Sequence, residues 1–321
     1  MISPEISHEI TPKIAPEAIR QTYSLIQPHI RQTPVINMDG AEFGLTNPVS
    51  LKLELFQHSG SFKARGAFTN LLTRSFPEAG VAAASGGNHG AAVAFAARKL
   101  NVPANIFVPS ISSPAKIELI RQAGANVHVE GDRYADALAF CEAFQAQTGA
   151  DGIHAYDAPE TLLGQATTGL EWQNQTDTLD TVLVAVGGGG LIGGLANWFQ
   201  GRVNVIGVEP EGASALHQAL DAGAPTDVDV NSLAADSLGA RRIGQLGFDA
   251  MKAYGSGTVL VSDNAIRQAQ TRLWQTMRIA AEPGGAAALA ALLSGAYTPA
   301  PQERLGILVC GGNLDPATLT G

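Results

Sequence analysis

The chain has 321 residues, 45% of them apolar and only 15% charged, with a formal net charge of −9. This length and composition exclude a single small domain and a largely disordered chain. The acidic balance speaks against nucleic acid or anionic membrane as partners.

The N-terminus has no basic stretch followed by an apolar one, so no signal peptide is expected. No segment approaches the roughly 20 apolar residues that span a bilayer. A cytoplasmic protein is the expectation. Two cysteines, Cys141 and Cys310, do not make a disulfide framework or a zinc site.

In chain order, Val49 to Leu55 reads as a strand and Phe62 to Arg74 as a helix. Val81 to Ser85 is a short apolar strand, followed by an alanine-rich helix from Asn88 to Leu100. Ala104 to Val108 is a strand, and Ser113-Pro114 reads as the cap and first residue of a helix reaching Ala123. Val127 to Val129 is a strand and Asp132 to Gln147 a helix, in which Cys141 sits among apolar neighbours. The rhythm continues with a helix at Thr161 to Gln173, a strand at Thr181 to Val186, a helix at Leu191 to Phe199 and a strand at Val203 to Val208. Ser262 to Arg278 is a long helix opened by Ser-Asp-Asn capping residues, Gly284 to Leu293 a short helix, and Leu305 to Cys310 a last strand. Strand–helix alternation predicts parallel sheets with helices on both faces. The strands lack polar alternation, as expected of sheets buried on both sides.

Glycine supplies 36 of the 321 residues, against a usual ~7%, and it clusters between the predicted elements. Clustered glycine lets backbone approach a ligand closely. Four segments carry chemistry. In Gly60-Ser-Phe-Lys63-Ala-Arg-Gly-Ala67 a lysine opens a helix beside Phe62. The positive helix end and an apolar neighbour both disfavour its protonated form, and a neutral amine is what Schiff-base chemistry needs. A surface lysine beside a capping serine is the alternative. In Ser85-Gly-Gly-Asn88-His89-Gly90 a glycine turn at a helix start offers N–H groups to an anion such as a carboxylate. Asn88 is either a side-chain donor to a phenolate-like oxygen or an ordinary cap, and His89 is given no proton role.

The third segment is an apolar strand running into Gly187-Gly188-Gly189-Gly190-Leu191, a phosphate-type anion site. Gly188-x-Gly190-x-x-Gly193, with Glu209 at the end of the next strand, also matches a dinucleotide fingerprint. That reading leaves the lysine and Gly-Asn-His segments unexplained. The fourth, Cys310-Gly-Gly-Asn313, places a thiol at the C-terminal end of a strand, where open α/β sheets bind ligands.

Taken in order, these segments resemble the fold-type-II pyridoxal-phosphate enzymes, most closely the threonine/serine dehydratase and serine racemase group. The resemblance runs from Thr33-Pro34 to Asp315. It implies a two-domain α/β fold of mostly parallel, helix-flanked sheets, similar to the tryptophan synthase β chain, with pyridoxal 5'-phosphate in the cleft. Residues 1–74 and 155–321 would form the large cofactor domain and 75–154 the small one. Lys63 would carry the cofactor as a Schiff base and Phe62 pack beside the ring. Asn88 would bond the phenolic oxygen, Gly187, Gly188, Gly189, Gly190 and Leu191 cradle the phosphate, and Cys310 face the pyridine nitrogen. Ser85, with the backbone of Gly87, Asn88 and His89, would hold the substrate carboxylate. Glu282, in Glu-Pro-Gly-Gly, would lie near the ring or serve the fold alone.

The activity implied is elimination of water from an L-β-hydroxy-α-amino acid (threonine, serine or a bulkier analogue such as phenylserine) to give a 2-oxo acid and ammonia. Lys63 and Ser85 would be the catalytic pair, and a homodimer is expected. Two departures narrow the resemblance. Gly86 stands where the racemases carry a second serine, so racemisation should be weak. The racemases also hold a divalent cation through a Glu and a nearby Asp. Glu209 matches the first, but Glu211-Gly-Ala-Ser-Ala215 offers no Asp, Asp236 is a candidate elsewhere, and no metal ligand is assigned. Serine racemase, a dinucleotide-dependent oxidoreductase, a non-catalytic binding protein and a cysteine synthase-like β-replacement enzyme remain alternatives.

Overall fold

A computed structural model describes residues 14–112, 114–315 and 318. The helices are α1 (Pro16–Ile26), α2 (Lys63–Thr73), α3 (Asn88–Lys99), α4 (Pro114–Gln122), α5 (Tyr134–Thr148), α6 (Pro159–Gln175), α7 (Gly190–Phe199), α8 (Ala215–Ala222), α9 (Ala235–Leu238), α10 (Gln245–Tyr254), α11 (Asp263–Met277) and α12 (Pro283–Leu293). The strands are β1 (Val35–Met38), β2 (Val49–Leu53), β3 (Val81–Ala84), β4 (Ala104–Val108), β5 (Asn126–Val129), β6 (Asp151–Gly152), β7 (Thr181–Ala185), β8 (Asn204–Pro210), β9 (Thr258–Val261) and β10 (Leu305–Val309).

They form two sheets: a six-stranded one in the order β1-β2-β10-β7-β8-β9 and a four-stranded one in the order β5-β4-β3-β6. Every pairing is parallel except β1 with β2. β2, early in the chain, pairs with β10, its last strand, in register Val49 with Leu305. Residues 81–152 supply the whole of the smaller sheet.

The apolar strands behave as expected: β2, β3, β4, β7 and β10 are buried along their full length. The apolar helices α7 and α12 are buried almost all round in the core of the larger sheet. The alanine-rich α3 packs into a separate core with β3, β4 and the start of α2. Small side chains allow that close helix–sheet approach. Ser262 caps α11, its hydroxyl accepting from Ala265 N. Pro114 opens α4; Ser113 lies outside the described residues.

Several boundaries differ from the sequence reading. The strand expected at Val49 to Leu55 stops at Leu53, because Glu54 turns off through a 3-10 turn to point its carboxylate into a buried ion cluster. α1, β1, β6, α8, α9, α10 and β9 were not anticipated. The antiparallel edge strand β1 breaks the all-parallel pattern.

Candidate active site

Four of the loops at the C-terminal ends of strands meet, where open parallel sheets leave room for ligands. β10 ends at Cys310, whose carbonyl accepts from Phe62 N at 3.1 Å, and Gly312 N donates to Gly60 O at 2.9 Å. This short antiparallel contact, with Ser61 bridging Gly311, fixes the start of α2 against the end of β10. Lys63 is therefore held beside Cys310 at the floor of a cavity of about 760 Å³. Its Nζ donates to Ala155 O at 2.7 Å. Burial is the main cause that lowers its pKa to about 8; Cys310 and Glu282 pull weakly the other way. The side chain still borders the cavity, so the amine is desolvated yet reachable.

The loop 187–191 lines the same cavity. Glycine is required there by space and by backbone. A Cβ on Gly188 would run into the Tyr156 ring, and one on Gly190 would lie 2.8 Å from Tyr156 O. Gly189 has φ +90°, a left-handed conformation. Among the described residues the N–H groups of Gly188, Gly189, Gly190 and Leu191 have no partner, and α7 begins at Gly190. Unpaired donors at a helix N-terminus make an anion cradle. A second stands opposite. β3 ends before Ser85, Gly87 N donates to Ser85 Oγ at 3.3 Å, and the N–H groups of Asn88 and His89 are likewise unpaired at the start of α3.

Asn88 is engaged on both sides. Its Nδ2 donates to Glu282 Oε1 at 2.6 Å, and its Oδ1 accepts from Asn313 Nδ2 at 2.7 Å. One amide hydrogen remains for a ligand. Glu282 is buried at the head of α12; burial raises its pKa to about 7, against the Asn88 hydrogen bond, which lowers it. Burial also pushes the Cys310 thiol up, so the sulfur is protonated and donates to Gly284 O at 3.4 Å. His89 turns away from the loop: its Nε2 meets Ile153 O at 2.9 Å, and burial holds the ring near pKa 3, hence neutral. Phe62, Lys63, Ser85, Gly87, Asn88, His89, Gly187 to Leu191, Glu282 and Cys310 all border this one cavity.

Glu209 does not. It is buried at the end of β8, and its two oxygens accept from Leu216 N at 2.7 Å and His217 N at 2.8 Å, capping α8. It cannot bind a ribose diol without giving up those bonds, which removes the acid that the dinucleotide fingerprint needs. Asp236 instead pairs with Lys116 at 2.6 Å. Among the described residues no group of three His, Cys, Asp or Glu comes together to hold a metal. Both carboxylates are engaged by protein groups, Glu209 by the start of α8 and Asp236 by Lys116.

The model of the family described as "Pyridoxal-phosphate dependent enzyme" matches residues 26–311. Phenylserine dehydratase from Ralstonia pickettii is 38% identical over 294 residues, covering 90% of each chain. The structure of maize serine racemase superposes with a TM-score of 0.89 at 31% identity, covering 95% of each chain. A threonine deaminase from T.th. does so with a TM-score of 0.88 at 33% identity, covering 94% of this chain and 99% of that one. The chain belongs to the pyridoxal-phosphate-dependent enzymes. Its cofactor is pyridoxal phosphate, its architecture is fold type II, and it is an enzyme of the dehydratase and racemase group. The site suits that cofactor: a desolvated amine for the aldehyde, and unpaired N–H groups behind glycines for the phosphate. No helix among the described residues is long and apolar enough to cross a membrane.

Sequence reasoning passed over several residues that this pyridoxal-phosphate enzyme brings to the cleft. Ala155 and Tyr156 close it beneath the glycine loop, and the stretch 230–242, irregular apart from the single turn of α9, forms much of one wall. Pro109, Ile111, Ser112 and Tyr134 form the opposite rim. The signals were weak: a polar loop after β4 and a segment without clear periodicity around α9. Also missed was a buried ion cluster two residues from Lys63. Arg65 donates to Glu54 through Nε at 2.9 Å and Nη2 at 2.7 Å, and to Glu171 at 2.8 Å. Lys52 reaches the same Glu171 at 2.6 Å.

Proposed function

We propose that the chain is a dehydratase that removes water from an L-β-hydroxy-α-amino acid and releases a 2-oxo acid and ammonia. The observation that carries this reading is the desolvated Lys63 amine sharing one cavity with two unpaired N–H cradles. When bound, pyridoxal phosphate supplies an aldehyde to be held by the amine and a sink for charge at Cα. Gly187 to Leu191, with the positive end of α7, hold its phosphate. Asn88 offers its spare amide hydrogen to the phenolic oxygen. Ser85 and the first N–H groups of α3 hold the substrate carboxylate. Lys63 Nζ, once free, would take the Cα proton, and a pKa near 8 suits a base at neutral pH. Loss of that proton and of the β-hydroxyl as water gives an enamine, which hydrolyses in solvent. Cys310 would lie near the pyridine nitrogen as a neutral thiol, its S–H held by Gly284 O, and would not keep that nitrogen protonated as a carboxylate would.

The β-substituent accepted is bulky and apolar. Ile111 is 82% exposed and Tyr134 53% exposed, and both border the cleft, leaving apolar surface for a substrate to cover. Burying a phenyl group is worth about 1.5–3 kcal/mol, so kcat/KM for L-phenylserine should exceed that for L-serine at least tenfold. Serine racemase is the second reading, supported by the likeness to the maize enzyme. Gly86 brings no proton donor of its own to the loop, which favours elimination. The domain division 1–74 with 155–321 against 75–154 is supported by the two separate sheets. A cytoplasmic homodimer is proposed from the family resemblance.

The test is a panel of β-hydroxy amino acids assayed for 2-oxo acid release, with chiral analysis of recovered serine. Yellow protein, 2-oxo acid release and unchanged L-configuration are expected. Protein that cannot be loaded with pyridoxal phosphate, or D-serine outpacing 2-oxo acid, would overturn it.

A further inference from the structure

A Cβ placed on Gly86 would overlap the hydroxyl of Ser112 and lie 3.0 Å from its Cβ. Ser112 comes from a different segment, the loop between β4 and α4, where its N–H donates to Pro109 O. The missing side chain at Gly86 therefore leaves a space that another loop fills with a hydroxyl. Ser112 is half-buried, borders the same cavity as Lys63 and Ser85, and among the described residues its hydroxyl has no hydrogen-bond partner. It stands against Gly86, two residues ahead of the unpaired N–H groups that open α3. Those N–H groups, the hydroxyl of Ser85 and the hydroxyl of Ser112 line the same cavity, and each can donate to an anion there.

We propose that Ser112 is a substrate-carboxylate ligand, and that Gly86 is glycine so that this hydroxyl can reach the cradle. This rests on the dehydratase reading for the identity of the substrate. A carboxylate has about four lone-pair positions, more than Ser85 and two backbone N–H groups fill. A donor from the β4–α4 loop closes the remaining side. The contact holds the carboxylate, which does not change during elimination, so it contributes equally to substrate and transition state.

The experiment compares the holoenzyme with Ser112→Ala, Gly86→Ala and the double variant. A lost hydrogen bond to a charged group corresponds to roughly tenfold or more in affinity. Ser112→Ala should raise KM about tenfold, with kcat within about twofold. Gly86→Ala, which forces the Ser112 hydroxyl aside, should raise KM similarly. The double variant should be no worse than either single one, because both remove the same contact. Titration of the cofactor absorbance with L-alanine, which cannot lose water, gives a readout free of turnover. Ser112→Ala should weaken L-alanine about tenfold and leave ethylamine, which lacks the carboxylate, unchanged. Unchanged L-alanine affinity, or equal weakening of both amines, overturns the proposal. A parent protein whose absorbance responds to neither amine would overturn the dehydratase reading instead.

Discussion

Two residues apart on α2, a wholly buried cation and a half-buried one facing the cleft meet opposite treatment. Arg65 is wholly buried, and burial alone would lower its pKa, but Glu54 and Glu171 outweigh it and raise the value. Glu171 is likewise pushed up by burial and brought below its usual range by Arg65 and Lys52. This cluster is closed: two cations, two carboxylates, with Thr33 and Gln175 filling further positions. Lys63, facing the cleft, hydrogen-bonds among the described residues only to a backbone carbonyl, and burial wins. Its neighbours follow the same rule, with Glu282 near 7, His89 near 3 and Cys310 a thiol. Burial with charged partners preserves charge and fixes the helix; burial without them disfavours charge, and in Lys63 and Glu282 it brings the titration towards neutral pH.

The contrast is broken most directly by deleting each cation in turn. Lys63→Ala should abolish 2-oxo acid release, by about four orders of magnitude or more, and remove the borohydride-sensitive absorbance. It strands no charge and relieves the cost of burying the amine, so urea unfolding should be no more than about 1 kcal/mol weaker than in the parent. Arg65→Met should do the reverse. It leaves Glu54 and Glu171 buried with one cation between them, and loss of a buried partner costs about 3–5 kcal/mol. Equal destabilisation by both substitutions would end the distinction drawn between the clusters.

A smaller effect sharpens the cleft side. Glu282 has an ordinary pKa of 4.5 and a folded value near 7. Between those values the folded apoprotein keeps a proton that the unfolded chain has lost, so stability falls as pH rises through that window. The fall attributable to Glu282 is about 3 kcal/mol. Glu282→Gln keeps an acceptor for Asn88 and removes the titration, so its melting temperature should drop less between pH 4.5 and 7.5. Lys63 acts oppositely: between about 8 and its ordinary 10.5 the unfolded chain binds the extra proton, and stability rises with pH. A parent and Glu282→Gln with parallel pH profiles would show that the carboxyl is not held protonated.

The legibility of the two regions differed for a physical reason. Lys63, Asn88, the tetraglycine and Cys310 each sit in a local sequence signal, because a turn or helix start at a strand end must be written in consecutive residues. Their convergence into one cavity was readable from their order. The Arg65 cluster was not, since its members come from three separated stretches, Lys52 and Glu54 around the end of β2, Arg65 on α2 and Glu171 on α6, and each looks like an ordinary surface charge in its own segment. Ser112 was hidden for a related reason: its relation to Gly86 exists only once the β4–α4 loop folds over the β3–α3 turn. Glu209 was misleading because a carboxylate at a strand end looks the same in sequence whether it meets a ligand or caps a helix.

The smallest expected effect tests how far neutrality itself matters. Cys310 is buried and protonated, with its S–H directed at Gly284 O. A hydroxyl is also a neutral donor, so Cys310→Ser keeps the character of the group while changing its size. If a weak partner is all the pyridine nitrogen requires, kcat should change by no more than about threefold, well under 1 kcal/mol of transition-state energy. Cys310→Asp would instead introduce a carboxyl into a region where burial disfavours charge. It should either bind a proton with a raised pKa or shift the cofactor absorbance. Complete loss of activity in Cys310→Ser, with the cofactor still bound and the fold intact, would mean that the sulfur does something a neutral hydroxyl cannot.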